Sequence, residues 1–390
     1  MSSFRFRITG SDNKSRAKVG EIITRNGVFR TPAFVPVATG ASIKSLTPEE
    51  LKECNIDIFF VNTYHMLFRP GIERVKKLGG LHQFMNWKGP IMTDSAGFQA
   101  FSLGDFSPRQ NAIPTDKLVR INNKGIYFKS AWDGSKQFLN PEKSIKAQQD
   151  LDSDIMMSFD ECTFYPVTKK RASEAIERTQ RWAKQGLNQH NKKKGHALYG
   201  IVQGSVFEDL RKESAKYIAS LPFEGFAIGS VANSREPREL VFSVLDWTLP
   251  ILLPYNKPIH FLGIGEVEDM LISIGKGIDS FDCVIPTRLA RMGWIFTKET
   301  GLKNKFRYDV TKNSFALDKS APDKNCGCFT CRSYTRGYLN HLFRSRELLA
   351  YRLATIHNLS FFGNLMEKIR TSIAEGKYHE LMTEWLIHNV

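Results

Sequence analysis

Eight short runs of apolar and branched residues, separated by longer segments of helical pattern, constrain the fold of this 390-residue chain more than any other feature. Such runs are typical of strands buried on both faces, and the helical segments supply the crossovers that parallel strands require. The alternation predicts an α/β fold, an irregular (β/α)8 TIM barrel, with an open doubly wound sheet as the rival interpretation. The predicted strands are residues 32–38, 57–63, 90–93, 154–159, 196–203, 225–228, 258–263 and 280–285.

Five segments between these runs carry helix signals. Thr47 precedes Pro48, Glu49 and Glu50, so that threonine caps the helix, proline takes its first turn and the acids face the positive end of its dipole. The other predicted helices cover residues 169–189, 208–220, 237–249 and 266–274.

The formal net charge of +15 favours a polyanionic partner such as nucleic acid, and more than half of it lies in the last quarter of the chain. The N-terminus has no apolar core of signal-peptide length, and no apolar run reaches about 18 residues. We therefore expect a cytoplasmic protein.

Three cysteines, Cys326, Cys328 and Cys331, crowd into six residues, and His357 follows 26 positions after the last of them. In a reducing compartment such crowding indicates metal ligation rather than disulfides. Three thiolates and one imidazole fill a tetrahedral shell, which predicts one structural Zn²⁺ per chain. His341 is a competing fourth ligand, and three free cysteines in a surface loop are the alternative to any metal site.

Two segments do not fit an ideal barrel. Residues 104–140 are polar and predict an insertion with a hairpin turn at 122–125 over one mouth of the barrel. The second segment, residues 288–357, contains the cluster of three cysteines. We expect a catalytic barrel with an N-terminal hairpin over residues 1–287, an inserted zinc-binding subdomain over 288–357, and C-terminal helices that complete the fold over 358–390.

Three carboxylates occupy similar positions at the ends of predicted strands: Asp94, Asp160 and Asp282. Reactive side chains of a barrel lie at the carboxyl ends of its strands, so all three could face one pocket. Any one of them alone could equally be a helix cap or a buried acid with its hydrogen bonds satisfied. Three such acids together favour a site.

Six ordered motifs carry a resemblance that spans nearly the whole chain. They are Asn62-Thr-Tyr-His65, Thr93-Asp-Ser-Ala-Gly-Phe-Gln99, Ser158-Phe-Asp-Glu-Cys-Thr163, Gly200-Ile-Val-Gln-Gly-Ser205, Phe281-Asp-Cys-Val-Ile-Pro-Thr-Arg288 and the Cys326 to His357 cluster. In these residues the chain resembles the tRNA-guanine transglycosylases, also called queuine tRNA-ribosyltransferases, of the bacterial type. The resemblance implies a homodimer, with a zinc-binding insertion near the last strand of each barrel.

The resemblance also implies the reaction. Guanine at wobble position 34 of tRNA is exchanged for a 7-deazaguanine, preQ1 or queuine, through a covalent enzyme–ribose intermediate in queuosine modification. Asp282 is implied as the nucleophile and Asp94 as the general acid and base. A catalytically silent tRNA-binding partner subunit is the alternative from a different class.

Binding roles follow from the same resemblance. Asp160 is implied to accept hydrogen bonds from the base, Phe98 to stack on it, and Arg288 and Arg291 to hold phosphates. The implied substrate-binding residues are Ser95, Ala96, Gly97, Phe98, Asp160, Gln203, Gly229 and Ser230. The implied RNA-binding residues are Gly263, Ile264, Gly265, Glu266, Val267, Glu268, Asp269, Thr287, Arg288, Leu289, Ala290 and Arg291.

The chain departs from the family pattern at two places. Ala96 stands where the family usually has glycine, which is acceptable if the backbone angle there is ordinary. In residues 229–235, Arg235 stands where relatives carry a glutamate linked to sensing the base. We expect preQ1 to be preferred narrowly over queuine, which needs room that Ser230 does not obviously leave.

Overall fold

The computed structural model describes residues 4–105, 119–130, 132–191, 195–230 and 236–386, without the side chains of residues 101 and 103–105. In chain order the strands are β1 (Arg5–Ser11), β2 (Lys18–Thr24), β3 (Gly27–Thr31), β4 (Ala33–Ala38), β5 (Phe59–Val61), β6 (Ile91–Thr93), β7 (Val119–Asn122), β8 (Gly125–Lys129), β9 (Lys136–Leu139), β10 (Ile155–Met157), β11 (Ala197–Val202), β12 (Gly225–Ile228), β13 (Ile259–Phe261), β14 (Ser280–Cys283), β15 (Trp294–Phe296) and β16 (Arg307–Asp309).

The helices complete this order. They are α1 (Pro48–Glu53), α2 (Thr63–Phe68), α3 (Ile72–Lys77), α4 (Gly80–Met85), α5 (Gly97–Asp105), α6 (Pro141–Asp150), α7 (Lys169–Gln189), α8 (Glu208–Ser220), α9 (Arg238–Leu252), α10 (Val267–Lys276), α11 (Ile285–Ala290), α12 (Phe329–Ser333), α13 (Arg336–Arg344), α14 (Leu348–Ala374) and α15 (Tyr378–Leu386). Among the described residues, no helix combines the length and the apolar character needed to cross a bilayer.

Eight parallel strands close into a barrel in the order β4-β5-β6-β10-β11-β12-β13-β14. The barrel closes where Phe281 of β14 pairs with Phe34 of β4. Each of the eight predicted runs contains one of these strands. The (β/α)8 prediction is therefore confirmed, and the open doubly wound sheet is wrong because β14 and β4 are hydrogen-bonded to each other.

The predicted helices are confirmed where local capping residues and helical periodicity indicate them. Helices α7 and α8 have the predicted bounds. At α1 a reciprocal capping box forms, in which the Thr47 hydroxyl accepts from the Glu50 amide and the Glu50 carboxylate accepts from the Thr47 amide.

The N-terminal segment forms an antiparallel sheet of three strands, β1-β2-β3, rather than a single hairpin. Its Phe4, Ile22 and Phe29 pack in one buried cluster with Val35 and Tyr199 from the barrel interior. The sheet therefore covers the amino ends of the barrel strands.

Two buried acids hold this sheet in place from just before barrel strands. Asp154, which precedes β10, accepts a hydrogen bond of 2.9 Å from Asn26, in the turn between β2 and β3. Asp279, which precedes β14, forms an ion pair of 2.9 Å with Lys18 of β2. With this end of the barrel closed, the carboxyl ends of the strands form the mouth at which a site can lie.

The predicted insertion contains a second antiparallel sheet, β7-β8-β9, whose first turn joins Asn122 to Gly125 as expected for a hairpin. Residues 106–118 of this segment lie outside the described residues. Phe128 of β8 packs against Tyr64 of α2, with ring centroids 5.7 Å apart. The sheet is therefore anchored against helix α2, which carries one of the sequence motifs.

The C-terminal part returns to the barrel through the long helix α14. Phe362 in α14 packs against Phe34 of β4, with ring centroids 4.6 Å apart. The helix is continuous across residues 357 and 358, so His357 and the start of the expected C-terminal segment share one rigid element.

Candidate active site and metal site

The three strand-end acids meet at the open mouth of the barrel. Asp94 directly follows β6, Asp160 is the third residue after β10, and Asp282 lies in the last half of β14. The negative charge of Asp282 helps to raise the pKa of Asp94, and the charge of Asp94 helps to raise the pKa of Asp160. This mutual influence places the three carboxylates in one electrostatic neighbourhood.

Asp94 is held by the first sequence motif. Its Oδ2 accepts from the Asn62 side chain at 2.6 Å, and its Oδ1 accepts from the backbone amides of Thr63 at 2.8 Å and Ala96 at 3.1 Å. Burial raises the pKa of Asp94 to about 6, although these hydrogen bonds favour the ionised form. A carboxyl with such a pKa is suited to both giving and taking a proton near neutral pH.

Asp160 is more deeply buried than Asp94 and lies between two polar side chains. Its Oδ1 accepts from the Ser95 hydroxyl at 3.1 Å and its Oδ2 from the Gln203 amide at 2.6 Å. Burial raises the pKa of Asp160 to about 6 as well. The Gln203 Oε1 atom is buried and has no hydrogen-bond partner among the described residues, so a bound polar ligand could satisfy it.

Asp282 is held through a single oxygen. His260 Nε2 lies 3.1 Å from Asp282 Oδ1, and the Gly263 amide donates to the same atom at 3.0 Å. The Asp282 side chain keeps 14% of its exposure and is therefore accessible from the mouth.

The segment after Asp94 forms the floor beside Asp160. A Cβ on Gly97 would lie 2.9 Å from the Asp160 carbonyl oxygen, so only glycine fits there. Phe98 is 39% exposed and contacts Phe164 edge-on. An exposed ring next to buried acids can stack on a flat ligand.

Ala96 does not have the ordinary backbone angle that would make alanine acceptable at this position. It is fully buried, and its φ of 64° lies in the left-handed region that favours glycine. The backbone angle is therefore not ordinary, and the methyl group is retained at a conformational cost.

The loop after β12 approaches the same acids. A Cβ on Gly229 would lie 2.8 Å from Gln203 Nε2. Ser230 adopts φ 59°, accepts from the Thr163 amide at 3.2 Å and donates to the Cys162 sulfur at 3.0 Å. Residues 231–235, including Arg235, lie outside the described residues.

Directly after Arg235 the chain carries an acid, Glu236, that the sequence motifs do not single out. Its Oε1 is buried with no hydrogen-bond partner among the described residues. Its charge acts on the buried Arg211 guanidinium, which donates to the Gly229 carbonyl at 2.7 Å. Glu236 therefore places a carboxylate within the loop after β12.

The residues implied to bind RNA lie in two segments beside Asp282, but their side chains differ in access. Arg288 is exposed, whereas the Arg291 side chain is half-buried and donates to the Thr287 carbonyl at 2.6 Å. The acids of these segments are paired with arginines, Glu266 with Arg307, and Glu268 and Asp269 with Arg238. The side chains of Ile264, Val267, Thr287 and Ala290 are buried, so only their main chain could reach a ligand.

The cysteine cluster assembles as a four-ligand site. One ligand atom from each of Cys326, Cys328, Cys331 and His357 lies within 4.8 Å of the others. The His357 Nδ1 atom is 3.1 Å from Cys331 Sγ and 3.7 Å from Cys328 Sγ. Tetrahedral zinc with ordinary bond lengths sets sulfur and nitrogen about 3.6 Å apart.

The second nitrogen of His357 supports metal binding. Nε2 lies 2.7 Å from the Phe296 carbonyl oxygen, which can only accept, so Nε2 carries the hydrogen and Nδ1 is left with a free lone pair toward the sulfurs. The competing ligand His341 is exposed on α13 and is not part of the cluster. The residues therefore fit a metal ion, and the interpretation as unrelated surface thiols is not favoured.

Several supporting residues could not be assigned roles from sequence. A sequence motif contains Asn62 and Thr63 and a predicted strand contains His260, but local pattern gives none of the three a role. Their contacts to Asp94 and Asp282 join different strands, so no local pattern signals them. The one sequence signal for Asn62 and His260 is that each is a polar residue next to buried strand residues, where a polar side chain is uncommon.

Comparison with known proteins gives consistent matches over the full chain. Residues 12–389 match the family described as Queuine tRNA-ribosyltransferase. A protein of Listeria innocua named "Queuine tRNA-ribosyltransferase" is 43% identical over 386 residues, which cover 99% of this chain and 96% of that protein. A protein of the same name from Caldanaerobacter subterraneus is 42% identical over 386 residues, with 99% and 98% covered.

Proposed function

Because the chain belongs to the queuine tRNA-ribosyltransferase family, we propose that it catalyses base exchange in tRNA, replacing guanine at wobble position 34 with a 7-deazaguanine in queuosine modification. One observation carries the proposal: Asp94 and Asp282 lie at the same barrel mouth, close enough for one charge to act on the other. The names of the relatives favour an enzyme over the silent partner subunit.

The first chemical step uses Asp282. A lone pair of its carboxylate forms a bond to ribose C1′ while the bond from C1′ to guanine N9 breaks, and the bonding electrons leave with the base. The product is an ester between the enzyme and the ribose. In the second step N9 of the incoming base attacks C1′, and the carboxylate of Asp282 leaves.

Asp94 manages the proton in both steps. With a pKa of about 6, roughly a tenth of Asp94 is protonated at pH 7, so it can protonate the departing guanine. The resulting carboxylate then takes the N9 proton of the incoming base. One proton is given and one is recovered, so the enzyme returns to its starting state.

Base recognition rests on Asp160. As a carboxylate it can receive the N1–H and 2-amino hydrogens of guanine with its two oxygens. Gln203 can donate its second amide hydrogen to the exocyclic oxygen, and Phe98 can stack on the ring. The base must leave its stack in the anticodon loop to enter this pocket.

For the incoming base we propose preQ1 ahead of queuine. Ser230 is tied to Cys162 and Thr163 by hydrogen bonds, which leaves less space than glycine would beside the loop after β12. Glu236, in the same loop, has one buried carboxylate oxygen with no hydrogen-bond partner among the described residues, and this oxygen could accept a hydrogen bond from the aminomethyl group of preQ1.

The metal and the assembly complete the proposal. We propose Zn²⁺ as the ion held by the three cysteines and His357, in a structural role, since four protein ligands leave no place for water. We also propose a homodimer. Phe329 and Tyr338 are 40% and 39% exposed, and Tyr334 stacks on Tyr338 at 5.4 Å, which gives an aromatic surface that a second copy could cover.

The test is guanine exchange into tRNA by the purified chain alone, with preQ1 and queuine offered side by side. We expect incorporation, faster with preQ1, and a protein–tRNA adduct that survives denaturation. Asp282→Asn should form no adduct. Exchange that requires a second protein would favour the partner-subunit function, and an unchanged adduct in Asp282→Asn would refute the nucleophile assignment.

A further inference from the structure

A histidine buried inside the barrel links two residues of the neighbouring strand. His260 in β13 is fully buried and lies directly opposite Ser280 of β14 in the strand register. Its Nδ1 is 2.8 Å from the Ser280 oxygen, and its Nε2 is 3.1 Å from Asp282 Oδ1. The imidazole is therefore fixed at both nitrogens, with the accessible carboxylate at its outer end.

The hydrogen positions follow from what each partner can do. An ionised carboxylate only accepts, so His260 Nε2 must carry a hydrogen toward Asp282. In a neutral imidazole Nδ1 then accepts, and the Ser280 hydroxyl donates to it. The Phe60 ring lies nearly parallel to the imidazole of His260, with ring centroids 6.1 Å apart, so an apolar ring neighbours the histidine inside the barrel.

The two oxygens of Asp282 are consequently not equivalent. Oδ1 receives both the His260 Nε2 hydrogen and the Gly263 amide hydrogen at 3.0 Å. No hydrogen bond to Oδ2 is found among the described residues. A lone pair of Oδ2 is thus the one free to reach a sugar carbon.

We infer that His260 is a positioning residue that, together with Gly263, holds Asp282 by Oδ1 so that Oδ2 attacks C1′; this inference rests on the proposed function. In the attack Oδ2 forms the bond to C1′, the electrons of the C1′–N9 bond leave with guanine, and Asp94 supplies the proton that guanine takes. His260 keeps its hydrogen throughout. In the ester, Oδ1 becomes the carbonyl oxygen and retains both donors.

The same contacts assist the second step. When the incoming base displaces Oδ2, negative charge returns to the carboxylate, and the donors on Oδ1 stabilise it as it forms. The order of the three residues differs from that of a serine hydrolase. Here Ser280 is 1% exposed at the inner end and Asp282 is the reactive end, so Ser280 sets the tautomer of His260 and does not attack.

Two substitutions of His260 separate positioning from packing. His260→Phe keeps a flat ring beside Phe60 but removes both hydrogen bonds. His260→Gln restores an N–H near the place of Nε2. His196→Gln is the matched control, since His196 is also a buried histidine but lies at the closed end of the barrel, 2.6 Å from the Ser153 carbonyl.

The experiment measures adduct formation with full-length protein and tRNA in a single turnover, together with tRNA affinity. We expect His260→Phe to slow adduct formation roughly 10- to 100-fold, with tRNA affinity within about twofold of the unchanged protein. His260→Gln should recover to within about fivefold, and His196→Gln should match the unchanged protein. Ser280→Ala should slow the step less than His260→Phe does.

Three results would overturn the inference. They are a normal adduct rate in His260→Phe, an equal loss in His260→Gln and His260→Phe, or a fall in rate that follows thermal stability across all variants including His196→Gln. If His260→Phe does not fold, Ser280→Ala and His260→Gln decide by the same comparison. Absence of any adduct in the unchanged protein would instead reject the covalent step of the proposed function.

Discussion

Asp94, the proposed general acid and base, carries a desolvation cost when it is ionised, because burial raises its pKa from 3.8 to about 6. Between about pH 4 and pH 6, Asp94 is therefore protonated in the folded protein but ionised in the unfolded chain. The stability contributed by this group is full below pH 4 and is lost as the pH rises to 6. Above pH 6 the folded state carries the full penalty of the buried charge.

Asp94→Asn removes that penalty together with the exchange activity. We expect the free energy of unfolding of the variant, relative to the unchanged protein, to rise by about 2 kcal/mol between pH 4 and pH 7. Base exchange should fall at least about 100-fold. Urea unfolding at several pH values measures the first effect.

The control for this prediction is Asp133→Asn. Asp133 is exposed, and the Ser135 hydroxyl lowers its pKa, so its substitution should give no rise with pH. Parallel unfolding curves for Asp94→Asn and the unchanged protein would contradict the raised pKa of Asp94.

Ala96 gives a second prediction for a single residue. Its φ of 64° disfavours any side chain, and its Cβ is fully buried. Ala96→Gly should keep activity and change stability by less than about 1 kcal/mol, since relief of strain opposes the flexibility gained by the unfolded chain. Ala96→Val should lose about 2 kcal/mol or more, because branched residues fit this region worst. Thermal unfolding of the pair is the measurement, and equal stability of the two variants would exclude strain at residue 96.

Among the elements, those coded by local pattern could be predicted and those set by distant contacts could not. Helix α7 begins after Thr168, which caps it, and its buried face recurs at helical spacing, so its bounds were predictable. The third strand of the N-terminal sheet was missed because its role depends on the barrel that it covers. The end of the expected zinc-binding segment at residue 357 falls inside α14, which continues through His357 without a break.

The loop and helix that share the metal site should depend on the ion. Cys331 and His357 bring α12 and α14 together, and the Thr330 hydroxyl also donates to the Leu353 carbonyl at 2.7 Å. We expect a strong chelator to lower the melting temperature and to increase hydrogen exchange first in residues 326–357, because metal binding and folding are coupled there.

Metal analysis of variants checks this prediction. His357→Ala should lose the bound metal, whereas His341→Ala should keep one ion per chain. Identical melting with and without the chelator would contradict a structural metal.

At the scale of the whole molecule, the N-terminal sheet closes one end of the barrel, and the three strand-end acids lie at the open end. The sequence could place the three acids at strand ends, because strand order and direction follow from the alternation of elements. It could not pair Asn62 with Asp94 or His260 with Asp282, because these contacts depend on how neighbouring strands are staggered. The strand-end positions of the three acids are therefore predictable from sequence, whereas the residues that contact them are not.

This polarity predicts where the positive charge of the molecule contributes to tRNA binding. Arg288 is exposed in α11, directly after the strand that carries Asp282, whereas Arg5 is exposed in β1 at the closed end. A cation that contacts a phosphate releases condensed counterions, so affinity falls with salt in proportion to the number of such contacts. Arg288→Ala should weaken tRNA binding and reduce the slope of log affinity against log salt by about 0.7 to 1.

Arg5→Ala is the matched control, since it removes the same charge from the opposite end and should leave the slope unchanged. Filter binding at four or more salt concentrations measures both variants with the same tRNA. Equal reductions in slope would mean that tRNA responds to the net charge of +15 as a whole. A reduction confined to Arg288→Ala would mean that the phosphates lie at the mouth of the barrel, where Asp94 and Asp282 can reach the sugar and base.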